Sequence, residues 1–340
     1  MNNMEHRGLR MHAAIEKRPM TTAFHITGYT FTEFDALVVS LRKDRKTGHG
    51  EAQGVYYHQE TAGTMLTQVE LLRERIERGI SRSELLDCLP AGGARNALDC
   101  ALWDLESKCT GQPVWKLAGL DPPKPLMTTI TIGADDPAVM ADHARGFGEA
   151  RALKLKLTDD EFNAERVRAV RAVRPDVWLM VDANQGLTRE SFARLLPALE
   201  QTRVALIEQP FPVGREDWLD GLDCPIRIAV DESVQDHRDL QKVVGRADTI
   251  NIKLDKSGGL TEALATAEQA IELGFDLMVG NMSGSSLAMA PAFVLGQRCK
   301  VVDLDGPTYL REDWSPPARY EHGTIWCPEA LWGNPAAVAA

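Results

Sequence analysis

The chain has 340 residues, 44% of them hydrophobic and 26% charged, enough for one large apolar core and a smaller second one. Its formal net charge of −11 argues against nonspecific nucleic-acid binding, which depends on Lys and Arg neutralising phosphates. The six cysteines are scattered without zinc-type or disulfide-framework spacing, and no apolar run nears the ~20 residues of a membrane span.

The opening MNNMEHRGLRMH lacks the apolar core of a signal peptide, so a reducing cytoplasmic setting is expected, with residues 1 to about 8 disordered or a start-site extension. From Leu9 to Gly54 the extended runs MHAAIEKR and DALVVSLR, with turn-like KDRKTGHG before EAQG, predict a small antiparallel sheet. Between residues 60 and 120 the texture turns helical. TMLTQVELLRERIERG and ARNALDCALWDLESKCTG both carry apolar residues at helical spacing, the second ending at Gly111.

From Leu126 to Asp305 short apolar runs recur, each followed by a helical segment: ALKLKL, VWLMVDAN, VALIEQPF, IRIAVDES, TINIKLDK, DLMVGNMS and KVVDLDGP. Their end residues, Lys156, Asp182, Glu208, Asp231, Lys253, Gly280 and Asp303, stand 22 to 27 positions apart. Repeated βα units of that length predict an eight-stranded α/β barrel rather than an open doubly wound sheet. No glycine-rich phosphate fingerprint follows the first strands, which agrees. Residues 311–340, rich in Pro and Trp, are expected to pack back on the N-terminal region. The divisions drawn are a cap at 1–122, a barrel at 123–310 and the closing segment at 311–340.

In a barrel enzyme the site lies at the C-terminal ends of the strands. That rim would carry Lys154 and Lys156, then Asp182, Glu208 and Asp231, then Lys253 half a barrel away, then Asp303 and Asp305. Singly, an Asp after a strand is often only the next helix's N-cap, and a strand-end Lys is usually solvated. The ordered set asks for more. Three convergent carboxylates need a cation between them, and oxygen-only ligands suit Mg²⁺, with Mn²⁺ a common substitute. Such an ion can hold a substrate carboxylate while the neighbouring α-proton leaves. A like charge at Lys154 and a partly dry cavity would both favour the neutral amine of Lys156, the form that acts as a base. With Lys253 opposite, two-base racemisation or epimerisation becomes possible.

These residues resemble the enolase superfamily, in its muconate-lactonizing-enzyme subgroup. The matching motifs are KLK (154–156), VDANQG (181–186), IEQP (207–210), VDES (230–233) and NIKLDKSGG (251–259), and ARNALDCALWDLESKCTGQPVWKLAG (94–119) is similar to the end of that subgroup's capping domain. The resemblance covers about residues 20–330. It implies an α+β cap on a modified (β/α)₇β TIM barrel, with Mg²⁺ on Asp182, Glu208 and Asp231. It also implies Lys156 and Lys253 as acid/base catalysts, with Lys154 assisting Lys156 and helping to neutralise the enolate.

The Asp-x-Asp in VVDLDGP (301–307) is similar to that of dipeptide epimerases, where it grips the substrate's ammonium group. On a strand, residues i and i+2 share a face, so Asp303 and Asp305 could both bond one –NH₃⁺. The plainer alternative is that they merely close a strand before Gly306–Pro307. Two stretches depart from the pattern. GNMSGSSLAMAP (280–291), which offers Met282 as a substrate contact, has Gly284 where many relatives carry Glu. The loop TGYTFTE (27–33) lacks the Arg that many Ala-Glu epimerases use, and GVYYHQET (54–61) offers Tyr56 and Tyr57 instead. A neutral or aromatic second residue therefore stands level with glutamate.

The leading expectation is a Mg²⁺-dependent dipeptide epimerase acting on the second residue of an L-Ala-Xaa dipeptide. An N-acylamino-acid racemase or a cycloisomerase would use the same rim, and a noncatalytic metal- or peptide-binding barrel is the alternative of another kind. The expected partner is a small dipeptide, with no nucleic acid or membrane, and self-association is left open.

Overall fold

The computed structural model describes residues 8–26 and 29–336. The expectation for residues 1–8 therefore falls, Gly8 aside, outside the described residues, as do Thr27 and Gly28 of the specificity loop. Strands β1 (Arg10–Ile26), β2 (Tyr29–Lys43) and β3 (Lys46–Gln53) form the antiparallel sheet that the extended runs predict, in the order β1-β2-β3. Its inner face packs on the helix Gly93–Thr110, which ends at a left-handed Gly111 (φ 73°) as a capping glycine should.

Contact between that helix and β3 is backbone on backbone. Gly48 and Gly50, two apart and so on one face of the strand, lie over Ala101 and Ala97, four apart and so on one face of the helix. A Cβ would stand 2.2 Å from the Ala101 carbonyl oxygen at Gly48 and 2.1 Å from that of Ala97 at Gly50. The helix's other side docks on the barrel at residues 254–261. Arg95 donates to the carbonyls of Ser257 (2.6 Å) and Gly258 (3.1 Å), and Asn96 Nδ2 donates to Asp255 Oδ1 at 3.0 Å. Asp99 accepts from the Thr261 N–H and hydroxyl, and Trp103 Nε1 donates to the same hydroxyl. The polar residues of RNALDCALW are thus a docking face for LDKSGGLT.

After β4 (Leu126–Met127) comes an eight-stranded parallel sheet in sequential order. Its strands are β5 (Thr129–Ile132), β6 (Ala152–Lys156), β7 (Trp178–Asp182), β8 (Leu206–Glu208), β9 (Arg227–Val230), β10 (Thr249–Lys253), β11 (Asp276–Gly280) and β12 (Val301–Val302). α-Helices cross between most neighbours. From β8 to β9 and from β9 to β10 the crossings are 3-10 turns, Glu216–Leu219 and His237–Val243, so the helical segment expected after every strand is shortened there. A 3-10 turn, Gly306–Tyr309, also follows β12, leaving the last strand without its helix, as in a (β/α)₇β barrel.

The parallel ladder does not join β12 to β5, and side chains bridge that seam. Thr129 Oγ1 donates to Asp303 Oδ1 at 2.6 Å, and Thr128 Oγ1 accepts from the Leu304 N–H at 3.0 Å. Beneath the rim, Met180, Leu206, Ala229 and Met278 fill the interior with an apolar plug. The closing segment straps the two parts together. Hairpin strands β13 (Arg319–Glu321) and β14 (Thr324–Trp326) extend β4, while Trp332 Nε1 donates to the His49 carbonyl at 2.8 Å. Among the described residues no helix is long and apolar enough to cross a membrane.

The glycine contact gives a stability test. Gly50→Ala should lose about 3 kcal/mol, because neither backbone can move away from the new methyl group. Gly63→Ala, where a Cβ meets nothing nearer than 3.8 Å in an exposed helix, should be neutral or gain up to about 1 kcal/mol. Urea unfolding midpoints of the two variants check both.

Candidate active site

Strand register sets the rim. Lys156 pairs with Asp182, and Asp182 with Glu208, so three adjacent strands end in one row of charged side chains. Asp231 follows the last residue of β9, and Lys253 ends β10, four strands from β6 and so across the barrel. Lys154, two residues before Lys156, is only 1% exposed, which rules out a solvated lysine face on β6. Its ammonium lies 2.7 Å from Glu208 Oε2, 2.9 Å from Asp303 Oδ2 and 3.1 Å from Asp182 Oδ2. Lys156 Nζ donates to Asp182 Oδ2 (2.6 Å) and Asn184 Oδ1 (3.0 Å), and Lys253 Nζ lies 2.6 Å from Asp231 Oδ2.

These pairs set the protonation states. Burial favours a neutral Lys154, but Asp303, Glu208 and Asp182 outweigh it and hold the ammonium well above its usual range. At Lys253 burial is likewise overcome, chiefly by Asp231. Asp182, despite its burial, is held down to about 2 by Lys156 and Lys154. Glu208 and Glu232 are pushed up to about 7 by burial first, then by Asp182 and Asp231 respectively.

Sequence reasoning missed several members of this network. Lys256, also in NIKLDKSGG, is buried behind Asp231 and donates to Asp231 Oδ1 (2.6 Å) and to the carbonyls of Asp231, Val234 and Asn251. Asp231 is thus gripped between two lysines. The clue was the Lys-x-x-Lys spacing, which returns the second amine beside the first within one helical turn. Asn251 Nδ2 donates to Glu208 Oε1 at 2.7 Å, and Asn184 Nδ2 to Glu232 Oε1 at 3.2 Å. Gln209 Oε1 accepts from the N–H groups of Asp231 and Ser233. Asn184 (φ 41°) and Gln209 (φ 37°) turn the chain away directly after the two carboxylate strands.

Asp182, Glu208, Asp231, Glu232, Asp303 and Asp305 are all buried, as are Lys154, Lys156, Lys253 and Lys256. Burial and the crowding of these carboxylates push Glu208 and Glu232 up toward neutrality, and a cation among them would relieve that crowding. Glu232 Oε2 has no hydrogen-bond partner, and Glu208 Oε2 faces Lys154 without hydrogen-bond alignment. Hard oxygen donors, two of them buried without a hydrogen-bond partner among the described residues, fit an ion such as Mg²⁺. The three carboxylates are spaced by lysines; among the described residues the compact trio of metal-type ligand atoms is instead Asp236, His237 and Glu262. Arg238 already occupies both oxygens of Asp236 and His237 bonds Glu262, so that trio is an ion-pair cluster already satisfied by its own partners.

The Asp-x-Asp pair is built differently from the strand alternation expected of it. β12 ends at Val302, and Asp305 has a turn conformation (φ −95°, ψ 0°). Both side chains nevertheless line one cavity with Lys154, Lys156 and Lys253. Asp303 bonds Thr129 and Lys154, while Asp305 Oδ2 accepts from the Thr131 N–H (2.6 Å) and the Tyr309 hydroxyl (3.0 Å). Burial and Asp303 push Asp305 up to about 6.

Tyr56 and Met282 line the cavity and Tyr57 does not. The Tyr57 ring backs Tyr56 edge-on at 5.2 Å, and its hydroxyl accepts from Gln235 Nε2. Gly284 (φ 149°) leaves no room for a side chain, since a Cβ would lie 2.6 Å from that of Ala288. A carboxylate does stand beside Ser285, but it is that of Glu51 from β3, accepting from the Ser285 N–H and hydroxyl at 2.7 Å each. Gly280 ends β11 without an ionisable group because a Cβ there would meet Asn251 Oδ1 at 2.8 Å and Lys253 Cε at 3.0 Å.

Comparison with known proteins agrees with this geometry. Residues 9–119 match the mandelate racemase / muconate lactonizing enzyme N-terminal domain, and residues 139–331 the enolase C-terminal domain-like family. The chain belongs to the enolase superfamily. It is 38% identical to the L-Ala-D/L-Glu epimerase of Escherichia coli over 91% of this chain and 97% of that one. An enolase family member from Agrobacterium tumefaciens, solved with sodium and L-Ala-L-Glu, shares 37% identity and superposes with a TM-score of 0.93 over 96% of this chain and all of that one. A dipeptide epimerase from Methylococcus capsulatus, solved with Mg and L-Arg-D-Lys, shares 31% identity with a TM-score of 0.86, over 94% of this chain and 96% of that one.

Two variants test the network. Gly280→Ala should displace Lys253 and lower kcat by about 10²-fold, as small misplacements of reacting groups do, with the urea midpoint as control for folding. Lys256→Met should lose about 3 kcal/mol of stability, because Asp231 and three carbonyls lose a buried cationic donor, read from the same unfolding curves.

Proposed function

We propose that the protein is a Mg²⁺-dependent dipeptide epimerase, inverting the α-carbon of the second residue of an L-Ala-Xaa dipeptide. The observation that carries this reading is the placement of Lys156 and Lys253 on strands across the barrel, facing one cavity that Asp303 and Asp305 also line. Asp182, Glu208 and Asp231 would hold Mg²⁺. Bound there, the ion offsets the charge that develops on the substrate carboxylate and competes with the lysines for the same oxygens.

The rest of the work falls to side chains of this chain. The amine of Lys156 takes the α-proton on one face, and the ammonium of Lys253 returns a proton on the other. The reverse direction exchanges their roles. Lys154, held protonated by its three carboxylates, stays a fixed positive charge beside the reacting carboxylate. Asp303 and Asp305 receive the substrate's N-terminal ammonium. An N-acylamino-acid racemase would use the same lysines but would leave these two carboxylates without a cation to bind. A noncatalytic barrel has no use for two opposed amines. The six free cysteines fit a reducing cytoplasm as the place of action.

The test is α-proton exchange. Incubated with Mg²⁺ and dipeptides in D₂O, the protein should place one deuterium at the α-carbon of the second residue, read by mass spectrometry, and EDTA should abolish this. Lys156→Ala should lose about 10³-fold in exchange from one diastereomer, and Lys253→Ala the same from the other. Deuterium confined to N-acyl amino acids would move the function to a racemase, and full activity in Lys156→Ala would refute the two-base scheme.

A further inference from the structure

The cavity has two unlike halves. Its floor is the charged rim. Its wall toward the cap is made by Met20 at the β1 bend, Phe31 and Phe34 on β2, Tyr56 in the turn after β3, and Met282 from the loop after β11. Phe34 and Met20 are buried, and Tyr56 is braced edge-on by Phe31 (5.7 Å), Tyr29 (4.7 Å) and Tyr57 (5.2 Å). Such interlocked rings form a stiff apolar surface with little side-chain freedom left to lose on binding.

No arginine or histidine lines the cavity among the described residues, and its three lysines each face a carboxylate within 3 Å. Two cations that flank Met20, one in sequence and one by contact, are already committed. Arg18 bonds Glu51 and Glu16 at 2.9 and 2.7 Å, and Arg311 Nε donates to the Met20 carbonyl at 2.9 Å. Residues 24–28, Phe-His-Ile-Thr-Gly, contain no Lys or Arg, His25 being their one titratable residue.

From this wall we propose that the second residue of the preferred dipeptide carries an apolar or aromatic side chain, such as Leu or Phe, and not the glutamate of the L-Ala-D/L-Glu epimerases. The inference rests on the dipeptide epimerase reading. Once the α-carboxylate and the ammonium are fixed on the rim, the remaining substituent of the second α-carbon is left the Phe31–Phe34–Tyr56 wall. A γ-carboxylate there would give up water without gaining a cation. A phenyl or isobutyl group would instead exchange water for aromatic and methionine surface.

The test compares kcat/KM for L-Ala-L-Phe, L-Ala-L-Leu and L-Ala-L-Glu with the Mg²⁺-loaded protein. At least one apolar substrate should exceed L-Ala-L-Glu tenfold or more. A smaller ratio, or a preference for glutamate, overturns the inference while leaving the epimerase reading intact. If no dipeptide takes up α-deuterium, the reading itself fails and the inference with it. Phe31→Arg should shift the Leu-to-Glu ratio at least tenfold toward glutamate. A ratio that does not move would overturn the assignment of this wall to the second side chain.

Discussion

The structure depends on keeping ten buried ionisable side chains in balance at the barrel mouth. Removing one partner from a buried ion pair typically costs about 3–5 kcal/mol, so no member of the set is free to relax independently. Each lysine is consequently placed by carboxylates from other strands. Lys154 on β6 meets residues of β7, β8 and the segment after β12, and Asp231 after β9 lies between Lys253 and Lys256. Such cross-strand pairing makes the rim rigid before any ligand arrives, as the proposed two-base proton transfer would require.

The same network takes part in closing the barrel. The seam between β12 and β5 lacks a backbone ladder, and Asp303 bridges it by accepting from Thr129 with one oxygen and from Lys154 with the other. Closure and active-site charge are therefore one arrangement, not two. The cap holds a second point, since Arg95, Asn96, Asp99 and Trp103 clamp the segment immediately after Lys253. Gly48 and Gly50 let the cap sheet approach that clamping helix closely.

Much of this was legible because parallel barrels repeat. A βα period and strands buried on both faces put Lys156, Asp182, Glu208, Asp231 and Lys253 at one rim without any knowledge of side-chain contacts. What escaped were features that period does not govern. Strand alternation would put Asp303 and Asp305 on one face, yet β12 is two residues long and a turn, not a pleat, aims them. Lys256 lies in a helical turn, off the strand pattern. The carboxylate beside Ser285 arrives from Glu51, a contact between residues 234 positions apart that local pattern cannot reveal. Tyr56 and Tyr57 are adjacent and chemically alike, and only the 3-10 turn decides which one faces the cavity.

The division of labour also bears on what similarity can transfer. The charged groups to which the proposed proton transfer is assigned sit at barrel strand ends, where each is fixed by buried partners and a single change is expensive. The wall opposite them is contributed mostly by β1, β2 and the turn at Tyr56–His58. Those positions can change size and charge without unbalancing the ten buried groups. Proton-transfer chemistry is therefore the property that relatives at 38% identity should share, and the identity of the second side chain the one they need not. In this chain aromatic and methionine side chains fill the wall, and its reading follows from their surface chemistry.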